Sequence, residues 1–445
     1  MKNFFSTLFQ IYKIEDLRNR IIVTLSLILI YRVGSFVILP GINAEALASA
    51  NVGGGGGLGE ILALFTGGAF SRASIFALGI MPYISASIIM QLLGVAVPSI
   101  QKMQKEGESG RQKISQYTRF LTIVITGFQA PGYLSTTVVN VPGAVANPST
   151  FWWASSIIIL TSATLFVMWL GERITEKGIG NGISLIIMIG IISKLPAAFI
   201  QEFIGRIDGA GGMVMLLIEI VLLVLIVAGT VALIQGVRRV PVQYAKRISG
   251  IQGLGSGARQ FIPLKVNAAG VMPIIFAQAI MFVPLYIAQA VDVDSAVLME
   301  LGNIGGVYYN MLFALVIILF TYFYTAITVN PTQMADDLKR NGGFVPGVKP
   351  GNATAEFLDV IISRITLPGS IFIALVAIVP AIAMAVGIKQ GFAIFYGGTS
   401  LLIIVGVVLD TLQQIESHLL MRHYDGLMKS GKIRGRSTSA AGVTG

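Results

Sequence analysis

Ten long apolar stretches punctuate this chain, at about 21–39, 73–97, 119–139, 152–171, 183–201, 213–234, 269–290, 307–328, 366–387 and 392–412. Each holds close to the ~20 mostly apolar residues that span a bilayer as a helix. Backbone facing lipid has to satisfy its own hydrogen bonds, so each stretch predicts a helix. The first run carries Arg32 and is followed by nine more spans, which predicts a retained helix rather than a cleaved signal peptide. Residues 3–20 place Phe4, Phe5, Leu8, Phe9 and Tyr12 near one helical face. They read either as an amphipathic helix at the interface or as the plain start of the first span.

Three other segments break the rhythm. Gly53–Gly57 is a run of five glycines, predicting a flexible linker. The apolar run Leu58–Phe70 follows it and is too short to cross, which predicts a re-entrant or buried half-helix ended by Gly67 and Gly68. Such a piece either moves on its glycines or sits as fixed packing. Two long polar loops, 236–265 and 329–354, are punctuated by Pro and Gly and predict projecting hairpins.

Composition removes the soluble alternatives. Hydrophobic residues make up 54% of the 445 and charged residues 12%, against about 25% charged in a soluble domain. Loop charge fixes an orientation. Of the 31 Lys and Arg residues, 26 fall in the segments that share a side with the N-terminus and 4 on the other. The positive-inside rule then places both termini in the cytoplasm. Ten spans split evenly near residue 205, and an odd number per half implies halves inserted in opposite senses. The expected organisation is an N-terminal half (1–205), a C-terminal half (206–425) and a cytoplasmic tail (426–445).

Little material exists for bond chemistry. The chain has no Cys and two His, His418 and His423, so thiol catalysis and Cys-ligated metal sites are excluded. No catalytic residue, metal site or cofactor is expected. Gly253–Gly257 fits a loose dinucleotide pattern, but it lies in a basic loop without strand–turn–helix context. Near Gly426–Lys432, Ile433 stands where a phosphate-binding loop needs a hydroxyl. Arg32 and Glu219 are the clear ionisable groups within the spans. A secondary small-molecule transporter would account for ten spans and inverted halves, and Glu219 would be its coupling group.

Seven stretches carry a resemblance: FSRASIFALGIMPYISASIIMQLL (70–93), KEGESGRQKISQYTR (105–119), ITEKGIGNGISLIIM (174–188), VQYAKR (242–247), PLKVNAAGVMPIIFA (263–277), KRNGGFVPGVKPG (339–351) and FYGGTSLL (395–402). In order and over most of the chain, they resemble the bacterial SecY family, the pore-forming subunits of the Sec protein-translocation channel.

The resemblance implies an all-α polytopic membrane protein, with ten transmembrane helices in two inverted five-helix halves around an hourglass pore and a short re-entrant plug. It implies passage of unfolded secretory polypeptides across the plasma (inner) membrane and lateral release of hydrophobic segments into lipid, without catalysis. Carried over by motif, the pore ring is Ile80, Ile84, Ile183, Ile187, Ile275 and Ile403. Ile80/Ile84 and Ile183/Ile187 are i,i+4 pairs, each expected on one helix face. A ring of branched apolar side chains dewets when empty and so blocks ions. The plug residues are Leu58, Ile61, Leu62, Leu64 and Phe65, and Ser85 and Gln91 belong to a lateral gate. Arg238, Arg239, Lys246, Arg247, Lys339, Arg340 and Lys349 fall in the docking hairpins, with Lys349 where the bacterial pattern usually has Arg. Implied partners are the small SecE and SecG membrane subunits, the SecA motor ATPase, the ribosome through rRNA phosphates, secretory preproteins with their signal sequences, and membrane lipid.

Overall fold

The computed structural model describes residues 14–51, 63–145, 148–208, 212–244, 260–278, 280–281 and 305–429. The chain runs through α1 (Glu15–Gly34), α2 (Ala44–Asn51), α3 (Met81–Ala96), α4 (Pro98–Lys105), α5 (Glu108–Tyr133), α6 (Thr150–Lys177), α7 (Gly182–Ile192), α8 (Leu195–Asp208) and α9 (Gly212–Gln235). Strands β1 (Val237–Tyr244) and β2 (Gln260–Lys265) follow, then a helical run at 272–278. The rest comprises α10 (Val307–Thr328), α11 (Pro331–Arg340), β3 (Gly343–Phe344), α12 (Asn352–Ala385), α13 (Gln390–Ala393) and α14 (Gly398–Lys429).

The fold is a helical membrane architecture, and each of the ten apolar stretches falls on helix over at least part of its length. Among the described residues, six helical stretches are long and apolar enough to cross a bilayer; they cover the fourth, fifth, sixth, eighth, ninth and tenth stretches. The second stretch contributes a bent pair, Met81–Ala96 with Pro98–Gln104, at 105°. The bend has a local cause. Val97 precedes Pro98 and adopts extended backbone at φ −110°, ψ 112°, the region a residue before proline prefers. On the outer surface, α9 exposes Leu217, Val221 and Leu225, a face suited to lipid or another membrane helix.

Two expectations need correction. The second span was expected to be helical from 73, yet residues 66–80 form turns and α3 starts only at Met81. Ala69, Ala73, Phe76, Ala77 and Leu78 are buried in protein, and irregular backbone is tolerated at membrane depth where protein shelters it. The turns satisfy themselves locally, as with Ala77 N–H donating to Ser74 O at 3.0 Å and Gly79 N–H to Phe76 O at 2.9 Å. Second, the two polar loops do not project as separate hairpins. A three-stranded antiparallel sheet, ordered β2-β1-β3, joins the two polar loops. Gln243 and Tyr244 of β1 pair with Phe344 and Gly343 of β3, so the hairpins expected separately form one unit. Val240, Val242, Leu264, Leu338, Val345, Leu358 and Ile362 make its core.

Prolines shape the long helices. Pro131 lies near the end of α5, and the chain continues as a π-helical turn over Leu134–Val139. Proline has no backbone N–H and interrupts the α-helical ladder, which suits a readjustment of this kind. The 34-residue α12 holds Pro368 and Pro380. Residues 3–13, Gly53–Gly57, Gly253–Gly257 and Lys432–Ile433 lie outside the described residues.

Candidate functional site

The six isoleucines singled out from the sequence lie on four segments: Ile80 and Ile84 at the start of α3, Ile183 and Ile187 on α7, Ile275 in the 272–278 run and Ile403 on α14. Folding brings all six into one hydrophobic cluster. Ile80, Ile187 and Ile403 are buried there; Ile84, Ile183 and Ile275 pack against it half-buried. Local capping places the α7 pair. The Asn181 side chain accepts from Ile183 N–H at 3.1 Å and Ser184 N–H at 3.3 Å, starting the helix. Gly182 lets α7 lie on α6, since a Cβ there would come within 2.0 Å of Gly171 O.

Beside the cluster is a cavity of about 440 Å³. Ile84, Ile187, Ile275 and Ile403 line it, together with Phe65 of the half-helix segment and Ser85 of α3. Ile80 and Ile183 do not line it. Ile183 leans on α6, where a Cβ at Gly171 would sit 3.0 Å from its Cγ1. Sharing an i,i+4 face therefore does not give Ile183 and Ile187 the same surroundings. Among the described residues, none that lines this cavity is charged. The wall suits an apolar or extended peptide segment.

Leu64 and Phe65 are buried in the same cluster. Leu58, Ile61 and Leu62 lie outside the described residues. Behind Phe65 the turn segment is pinned to α5, with Tyr133 Oη donating to Phe70 O at 2.7 Å.

Ser85 Oγ donates to Met81 O at 3.2 Å, and Gln91 Nε2 donates to Ser87 Oγ at 3.3 Å. Both bonds stay within α3, so neither side chain ties α3 to a facing helix through them. Two lining amides were not singled out from the sequence, Gln129 on α5 and Gln278 at the end of the 272–278 run. Gln278 is 4% exposed, and its Oε1 has no hydrogen-bond partner among the described residues. A signal for both existed: each is a lone amide in an apolar run, GFQA at 127–130 and FAQA at 276–279.

On the sheet, Arg238 and Arg239 of β1 are exposed opposite Leu264 and Pro263. Lys339 and Arg340 are exposed at the end of α11, and Lys349 is exposed after β3. Thr354 Oγ1 donates to Lys349 O at 2.8 Å, fixing the backbone there. Lys246 and Arg247 lie outside the described residues.

Glu219 is engaged. Its Oε1 pairs with Arg206, whose Nε lies 2.9 Å from Glu202 Oε1. Arg206 also donates to Gly387 O at 3.0 Å, and Glu202 accepts the Lys389 N–H at 3.0 Å. The result is an ionic seam joining α8, α9 and the turn before α13, distant from the residues lining the cavity in composition and role.

With this geometry in hand, likeness to known proteins is informative. The SecY family model matches residues 74–412. Protein translocase subunit SecY of Thermotoga maritima is 40% identical over 96% of this chain and 98% of its own length. The same subunit from Halalkalibacterium halodurans is 43% identical over 96% and 100%, and that from Thermus thermophilus 42% over 98% and 100%. Among solved structures, a protein-conducting channel superposes with a TM-score of 0.65 at 17% identity, covering 90% of this chain and 92% of the other. Sec61 in the canine ribosome-channel complex from the endoplasmic reticulum gives 0.62 at 17% identity over the same shares. An apolar cluster beside an uncharged cavity, built on this helical fold and matched along nearly the whole chain, places the protein in the SecY family of protein translocase subunits.

Proposed function

We propose that this chain is the pore-forming subunit of a protein translocase. It passes unfolded secretory polypeptides across the bacterial inner membrane and releases hydrophobic segments sideways into lipid, with both termini cytoplasmic. The observation that carries the reading is the convergence of isoleucines from four distant segments on one dry cluster, with Phe65 and an uncharged cavity against it. Branched apolar groups grip an extended chain without hydrogen-bonding to it and shed water when the chain leaves.

In this reading Ile80, Ile84, Ile183, Ile187, Ile275 and Ile403 form the constriction between an N-terminal half (1–205) and a C-terminal half (206–425). Leu58, Ile61, Leu62, Leu64 and Phe65 belong to the plug. Ser85 and Gln91 mark the gate helix α3, and the 440 Å³ cavity is where a hydrophobic segment first leaves the pore axis. The subunit works with the SecE and SecG membrane subunits and performs no bond chemistry itself. Energy comes from the SecA ATPase or from a translating ribosome, both docking on the two polar loops through Arg238, Arg239, Lys246, Arg247, Lys339, Arg340 and Lys349. Its solved fold neighbours include a channel bound to a ribosome.

The test is reconstitution. Vesicles holding this chain with its accessory helices, supplied with motor and ATP, are expected to import a secretory precursor. A photo-crosslinker at Ile187 is expected to label a stalled precursor, while one at Leu225 on the outer face of α9 labels lipid. Absence of import, or labelling from Leu225 but never from Ile187, overturns the reading. The transporter alternative needs a coupling carboxylate able to bind and release an ion, and Glu219 is committed to Arg206.

A further inference from the structure

Where the plug segment ends, the chain makes a contact that no packing argument requires. The carbonyl of Gly67 accepts two hydrogen bonds from two different arginines, Arg32 Nη1 at 3.1 Å and Arg72 Nη2 at 3.0 Å. Arg32 stands in the last turn of α1, and Arg72 lies five residues further along the turn segment. Both guanidinium groups also lie over the ring of Phe36, their Cζ atoms 4.8 and 4.2 Å from its centroid. Two like charges converge on one acceptor, and the ring face between them offsets part of their repulsion. Charge-assisted donors of this kind form the stronger class of hydrogen bond.

Next to the arginines the segment is also held by shape. Gly67 and Gly68 have φ of +64° and +87°, a left-handed turn that glycine adopts freely. This turn carries Phe65 O and Gly67 N against Gly190 of α7. A Cβ at residue 190 would come within 2.3 Å of Phe65 O and 3.2 Å of Gly67 N. The backbone on either side of Thr66 is thus held jointly by a pair of cations and a notch in α7. Phe65, which lines the cavity, lies two residues from the doubly bonded carbonyl.

We propose that Arg32 and Arg72, with the notch at Gly190, form a catch that positions the plug against the isoleucine cluster, an inference that rests on the channel reading above. The catch is releasable. Both arginines are half-buried rather than buried, so water can reach part of each guanidinium once Gly67 departs. No bond within the isoleucine cluster needs to break first. The three residues are positioning residues, and they act on the passing chain only through where they hold Phe65.

The natural chain has no cysteine, so a single Thr66→Cys, at a site only 2% exposed, reports the segment's position. The complete complex in proteoliposomes is treated with a membrane-impermeant maleimide from the external side. In that background, Arg32→Gln, Arg72→Gln and Gly190→Ala are each expected to raise the labelling rate about tenfold, the effect of one lost charge-assisted bond or an equivalent clash. Gly190→Ala keeps every charge, so it separates steric seating from electrostatics. Arg32→Lys keeps one donor and is expected to label more slowly than Arg32→Gln. Unchanged labelling in all three variants, in protein that melts at the parental temperature, overturns the catch. Conductance after deletion of 58–70 is read separately. Unchanged conductance there overturns the sealing role of the plug, whereas the labelling rates alone decide whether the catch exists.

Discussion

The amide of Gln278 is the least satisfied polar group on the cavity wall among the described residues. It is nearly fully buried, and its Oε1 meets no donor among the described residues. An unsatisfied buried acceptor costs about 1–3 kcal/mol, which this arrangement bears and one holding water or a peptide N–H there does not. Gln278→Leu is therefore expected to raise the unfolding temperature of the purified subunit and to lower export of precursors with weakly hydrophobic signals. A faster export of such precursors would contradict this. Ile403→Asn works in the opposite direction by placing an amide in the dry cluster, and is expected to increase export of a precursor with a defective signal. The isoleucines were legible because their neighbours form specific motifs, Met-Pro, Gly-Asn-Gly and Gly-Gly-Thr-Ser. The motifs did not reveal that Ile183 would lean on Gly171, because the crossing of α6 and α7 depends on Gly171 and Gly182 meeting across the turn between the two helices. Gln278 went unread because a single amide in an apolar run looks the same whether it is bonded or orphaned.

Among elements, the apolar stretches located helices well and their boundaries poorly. Hydropathy registers burial but not what provides it, so residues 73–80, sheltered by protein, read like a membrane-spanning helix. The strands were hidden because β1 and β2 are held apart by a long intervening segment, and the β3 partner lies about a hundred residues downstream. The seam between α8 and α9 was half visible: Glu219 stood out as an intramembrane charge, but its partner Arg206 fell in what read as a loop. Breaking this pair leaves carboxylates without their cation. Arg206→Gln is expected to destabilise the purified subunit by about 3–5 kcal/mol, measured by thermal unfolding in mild detergent. Replacing Glu202, Arg206 and Glu219 together by Gln, Met and Gln is expected to recover most of that loss, since removing all three leaves no buried charge unpaired. A triple variant as unstable as Arg206→Gln would show that packing, and not charge, holds α8 in place.

At the scale of the whole molecule, charge is sorted by side. The strong bias of Lys and Arg toward one set of loops was readable from sequence alone, and the structure exposes part of it on the central strand of the sheet. If rRNA phosphates meet Arg238 and Arg239, replacing both by Gln is expected to weaken ribosome binding and to lower the slope of log affinity against log salt by about 2. An unchanged slope would assign these arginines to orientation rather than docking.

The pairing of β1 with β3 carries a mechanical corollary. Leu358 and Ile362 of α12 are embedded under this plate, and β2 leads directly into the 272–278 run. A push delivered to either loop is thus handed to α12 and to the 272–278 run at once, so in the channel reading proposed above any partner that lands on the sheet moves both.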